Sequence, residues 1–256
     1  MSAAMKPLVH GRRLVLRSIW AQTQAELTLT ARRGENVLIT VIVPVLLLVF
    51  FASLDIVRVG TTKPINFLLP GMLALAVIAT GMVALGIATA YERYYGVLKR
   101  LGASPLPRAG LIAAKALSVL ALEVVQITLL MIVAAILYGW HLDGSVATLL
   151  LALLLGSLAF AAVGLAMAGA LRAEATLAGA NGLYLLFLLL SDAVLPLDHL
   201  PTVLQDLAHV LPAAALTDAL RAALTAGAAF PGSDLAVLAV WAIVMLAVAI
   251  RTFKWE

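Results

Sequence analysis

Six long apolar stretches divided by short polar segments set the pattern of this chain. They run over residues 37–54, 68–90, 111–138, 146–171, 176–195 and 235–250. A helix needs roughly 20 apolar residues to cross a bilayer. The runs are continuous in Ala, Leu and Val and lack the two-residue alternation of a barrel strand, so they predict helices. The fourth and fifth are parted only by Arg172-Ala-Glu174, a tight charged turn. The last stretch is the shortest and can gain residues at either end. The pattern predicts an all-α polytopic membrane protein of six transmembrane helices.

Two further segments are neither span nor simple loop. In the arm 1–36, Leu16, Ile19, Trp20, Thr23 and Leu27 recur at three- and four-residue spacing, while Arg12, Arg13, Arg17 and Gln24 take other faces. A cationic helix with a Trp-bearing apolar stripe suits the membrane interface. A solvated basic arm is the plainer alternative. The same arm has no apolar core or cleavage site of a signal peptide. The second segment, 196–234, holds Leu200-Pro201, then Val203, Leu204, Leu207, Val210 and Leu211 on one helical stripe. Pro212 follows, and then a second helical stretch over 213–226. Each piece is too short to span. Pro201 is tolerated at a helix start, and Pro212 separates the pieces. They predict a re-entrant helical hairpin between spans five and six, with a surface cap on the bundle as the alternative. The first 36 residues thus form an N-terminal arm, and 37–256 a single six-span membrane domain.

Composition supports this architecture: 64% of residues are hydrophobic and 12% charged, against nearer half and a quarter in soluble domains. Charge adds direction. Thirteen Lys and Arg flank the spans on the side of both termini, against three (Arg58, Lys63, Arg221) on the other, with Lys115 just inside span three. The positive-inside rule places both termini in the cytoplasm, across a cell inner membrane. Seven acids (Asp55, Asp143, Asp192, Asp198, Asp206, Asp218, Asp234) fall outside. The net charge of +4 therefore reflects orientation and not nucleic-acid binding. With no cysteine, thiol chemistry and disulfides are excluded, and the four scattered histidines show no metal-ligand spacing.

No phosphate loop, nucleophile elbow, zinc-binding helix or kinase pattern occurs, so the chain is expected to carry no catalytic machinery. The richest local signal is the second cytoplasmic loop, 91–108. Residues 91–101 fit a short helix with Tyr94, Val97, Leu98 and Leu101 on one face and Arg93 and Arg100 on another, ended by Gly102 and Pro105. Tyr and Arg favour protein interfaces, so the helix suits docking on a soluble partner. A basic anchor on anionic lipid is the alternative.

The run Glu92-Arg93, Gly96, Leu98-Lys99-Arg100-Leu101, Ser104-Pro105-Leu106 and Lys115 resembles the signature of the type-2 ABC exporter permeases. The drug- and polysaccharide-export branch is meant, closest in flavour to daunorubicin-resistance permeases. Pro196, Leu200-Pro201, Leu204, Pro212 and Asp218-Ala-Leu-Arg221 resemble that family's segment between spans five and six. The likeness covers nearly the whole chain. It implies half of an exporter: two permeases, identical or homologous, around a central path, with two separate ATPase subunits below. The 91–101 helix would be the coupling helix. This chain would hold no cofactor; ATP and Mg would bind the ATPase. The cargo would be a hydrophobic or amphipathic drug or a lipid.

Intramembrane polar residues leave alternatives open. Glu123 lies near the middle of span three with Gln126 on the same face. A carboxylate there must face the interior, be paired or be protonated. It could line a substrate path, bond between helices or permeases, or lie near the interface should the span begin later. Asn181, among Ala178, Gly179, Ala180 and Gly182, reads as helix-packing glue. Pro44 is expected to kink span one, and Gly81, Gly86, Gly156 and Gly164 to permit close helix approach. A proton-driven secondary transporter working through Glu123 and a membrane scaffold without transport are the competing functions.

Overall fold

A computed structural model describes residues 6–32, 34–53, 64–103, 107–194 and 201–252. Every element among them is helical. The N-terminal arm forms α1 (Lys6–Arg32), and α2 (Gly34–Ser53) follows almost at once. Span two is α3 (Ile65–Ile78), a π-helical turn (Ala79–Ala84) and α4 (Leu85–Tyr94) in one unbroken rod. A short α5 (Val97–Gly102) leads to α6 (Arg108–Tyr138), α7 (Val146–Ala170) and α8 (Ala173–Leu190). Then come α9 (Thr202–Val210), α10 (Pro212–Leu224) and α11 (Gly232–Thr252).

Five rods among the described residues are long and apolar enough to cross a membrane: 65–94, 109–138, 146–170, 173–190 and 232–252. α2, where the first span is expected, has 20 residues and reaches ~30 Å at the α-helical rise, although its apolar part among the described residues, Val41–Ser53, is shorter than a full span. Spans two and six run past their apolar stretches at both ends, and span three at its start, because flanking polar residues continue the helix.

Span two is the central rod. Leu68, Leu69, Met72, Leu73, Val77, Ile78 and Met82 are all fully buried. The other spans keep an apolar outer face, with Val124, Val125, Ile136, Val240 and Ile243 exposed. Such a surface is stable only in lipid. Spans two and four meet backbone to backbone. A Cβ on Gly164 would lie 2.7 Å from the Met82 carbonyl oxygen, and one on Gly86 3.0 Å from the Gly164 oxygen. Only glycine fits at that crossing.

The two ends of the bundle segregate as the charge count requires. At one end the Thr23 hydroxyl donates to the Ala114 carbonyl at 3.5 Å. Arg93 of α4 reaches the end of α7 there, and Gly169 abuts Thr252. This is the basic end. At the other, the Tyr138 hydroxyl donates to Val49 O at 3.3 Å and the Ser145 amide to Ala223 O at 2.9 Å.

The segment expected as a re-entrant hairpin is a bent pair of helices, which by length and composition suits a broken span or a re-entrant loop. Pro201 precedes α9, Pro212 is the first residue of α10, and the two helices bend by 78°. Trp241 Nε1 donates to the Val210 carbonyl at the apex, 3.0 Å away. Trp241 lies nine residues into α11, or ~14 Å below its start. The bond therefore ties the apex to the middle of α11. Lipid cannot solvate irregular backbone there, and α10 is accordingly buried along most of its length. Pro196, Leu200, the loop positions Arg58 and Lys63, and the motif residues 104–106 lie outside the described residues.

Candidate functional site

The basic end is built around a break in the polypeptide. Residues 91–101, expected as one helix, are two. Tyr91–Tyr94 close span two, and Gly96 then adopts φ +71° before α5 begins. Glycine enters the left-handed region without steric cost, whereas in a helix interior it costs ~1 kcal/mol. The break turns α5 across the bundle end. Leu98 is buried against Leu111, with Ile19 of α1 and Leu101 packed around them.

The charges of the expected docking helix therefore separate into two groups. Glu92 and Arg93 point inward. Lys115, 1% exposed, places its ammonium 2.6 Å from Glu92 and 3.0 Å from Glu26. One buried cation thus ties α1, span two and span three together. Arg93 donates from one guanidinium nitrogen to Gly169 O at 2.7 Å and from the other to Leu171 O. These are among the last carbonyls of α7, which have no partner within their own helix, and a cation there also suits the helix dipole. Tyr94 and Tyr95, 65% and 68% exposed, face outward with Val97, Lys99 and Arg100. The rings of Tyr91, Tyr94 and Tyr95 pack together with centroids 5.1–6.4 Å apart. Arg93 and Arg100 hence do not share a face: Arg93 is structural and Arg100 belongs to the outer platform.

A second polar centre lies mid-membrane. Glu123, 2% exposed, accepts from the Ser157 hydroxyl of α7. Thr80, on the π-turn, donates to Gln126 Oε1 at 2.7 Å. Glu123 is 15 residues into a 31-residue helix, near its middle. Its bond joins spans three and four of one chain. Asn181 departs from expectation: its amide donates to Leu177 O of its own helix at 2.8 Å. Its side chain is exposed and lines a cleft of about 330 Å³ with Pro44, Ala79, Val83 and Tyr184.

The pattern of this chain over residues 17–225 matches the ABC-2 type transporter family model. The chain belongs to the ABC-2 type transporter family. Among relatives, a putative transport permease, YvfS, of Bacillus subtilis (strain 168) is 26% identical over 200 residues, covering 75% of this chain and 79% of that protein. ABC transporter G family member 20 of Dictyostelium discoideum is 31% identical over 165 residues, 62% of this chain but only 22% of that protein.

The part of this ABC-2 permease that matches contains the outer platform, the Lys115 triad and the bent helix pair. At the hairpin, Arg221 bonds Asp192 Oδ2 at 2.5 Å, the Asp192 carbonyl at 2.8 Å and Asp218 at 3.0 Å, and its guanidinium covers the Phe67 ring at 4.7 Å. Asp192 itself has φ +55°, a conformation Asp tolerates better than most residues. Arg221 thus pins α10 to the end of span five and the start of span two. Among the residues that sequence reasoning missed, Glu26 is the main one. The signal was Lys115 itself: a lysine inside an apolar run demands an acid, and few acids share the basic end.

Proposed function

We propose that this membrane subunit works in an ATP-driven exporter, moving a hydrophobic or amphipathic small molecule or lipid outward across a cell inner membrane. The observation that carries this reading is the exposed Tyr94, Tyr95, Val97, Lys99 and Arg100 platform, joined to the central rod by the two-residue turn Tyr95-Gly96. Exposed aromatic and cationic side chains on a bundle end favour a protein partner. A push on α5 reaches span two through Gly96, α1 and span three through Lys115, and span four through Arg93. The partner is an ABC ATPase, two copies per transporter, binding ATP and Mg, with a second permease, identical or homologous, completing the path. ATP would then bias inward- against outward-facing states through differential affinity of the ATPase pair for the two. The thirteen-to-three imbalance of basic residues supports placing the platform and both termini in the cytoplasm.

Purification of the tagged chain from its native membrane tests this. The ATPase subunit should co-purify, and export of a hydrophobic dye from reconstituted vesicles should require ATP. Transport that persists without ATP or the ATPase would sink the reading.

A further inference from the structure

Beneath the hairpin apex, spans four, five and six leave a cavity of about 420 Å³ that the transport reading does not use. Met167 and Leu171 of span four, Phe187 of span five, Trp241 and Met245 of span six and Leu211 of the apex line it, and every other lining residue is also apolar. Its volume falls within the range of small-molecule sites. The Trp241 N–H, the one strong donor on its wall, is committed to Val210 O, so the wall suits a hydrocarbon chain and offers nothing to a polar solute.

The basic end of the cavity differs. Arg172 follows the lining residue Leu171 directly and is exposed. Arg251 is exposed in the last turn of α11, six residues beyond the lining residue Met245. The chain ends bearing them meet, since Gly169 abuts Thr252. Arg93 adds a third guanidinium at the carbonyls of Gly169 and Leu171, and Glu174 is the acid on the first turn of α8. Cationic rims over apolar grooves between spans are complementary to lipid phosphates.

We propose that this cavity holds an acyl chain of one resident anionic phospholipid, whose phosphate sits at Arg172 and Arg251. The lipid wedges under the apex and fills space that the hairpin leaves between spans four, five and six. It is a structural ligand and not cargo, so its binding does not depend on the exporter reading.

The purified chain is equilibrated in detergent with equimolar dioleoyl-phosphatidylglycerol and dioleoyl-phosphatidylcholine, and bound lipid is counted by native mass spectrometry. One phosphatidylglycerol should remain, and phosphatidylcholine should not. Each cation near an anionic headgroup contributes about fivefold, so the double variant Arg172→Ala, Arg251→Ala should bind about 25-fold more weakly. Ala170→Trp, which fills the cavity, should abolish retention; Leu183→Phe serves the same purpose should that variant not fold. Equal retention of both lipids, or retention indifferent to the arginines, identifies ordinary surrounding lipid and overturns the proposal. So does retention indifferent to filling. Discharge of the lipid during ATP turnover with the ATPase bound would make it cargo and also overturn the proposal.

Discussion

Replacing Lys115 by methionine removes the cation that joins three helices while keeping nearly the same volume. Lys115 is 1% exposed, and its partners Glu26 and Glu92 are 12% and 14% exposed. Without the ammonium, two carboxylates face each other at a site that excludes most water. Breaking a buried pair by removing one partner costs ~3–5 kcal/mol. Since both acids retain some solvent contact, the lower figure applies, about 3 kcal/mol. For a chain of this size that lowers the unfolding midpoint by roughly 6–12 °C. Thermal unfolding in detergent, followed by size-exclusion fluorescence, measures it. The reasoning also predicts rescue, because replacing a whole buried ionic cluster by neutral groups is close to neutral in energy. Lys115→Met combined with Glu26→Gln and Glu92→Gln should recover most of the lost midpoint. A single variant within ~2 °C of the parent, or a triple variant no better than the single, would refute the triad as a structural node.

Arg93→Gln should lower the unfolding midpoint without selectively weakening ATPase association, because it uncaps span four; Lys99→Glu with Arg100→Glu should do the reverse, as paired melting and co-purification will show. Gly164→Ala places a Cβ 2.7 Å from the Met82 carbonyl and should cost ~1–3 kcal/mol through forced separation of spans two and four, read as a lowered midpoint. Glu123→Gln keeps a hydrogen-bonding group opposite Ser157 and should leave ATP-dependent export largely intact; loss of export with a normal midpoint would support a proton-coupled role instead.

The spans were legible because hydropathy over some twenty residues is a bulk property that no single contact overrides. The gathering of lysine and arginine at one end of the bundle was legible because it follows from the order of the spans and not from packing. The bent helix pair was legible from its two prolines, although its contact with the middle of α11 became visible only from the bond between Trp241 and Val210. The basic end was read less well. Tyr94, Val97, Leu98 and Leu101 fit a single helix by spacing, and the pattern does not reveal that Gly96 turns the chain between them. Arg93 resembles Arg100 in sequence because its partners are backbone carbonyls 76 and 78 residues away, which carry no residue signature. Asn181 looked like interhelical glue from its small neighbours, but an asparagine one turn above a carbonyl satisfies itself within its own helix.

The central claim is that the platform at the end of span two receives a separate ATPase. The absence of cysteine makes a direct measurement simple. A photoreactive thiol crosslinker is attached at Tyr95→Cys, with Val124→Cys on the exposed face of span three as the control, and native membranes are irradiated. The account predicts that the platform position captures the ATPase chain and that the span position captures only lipid. Capture of lipid alone at both positions would contradict it.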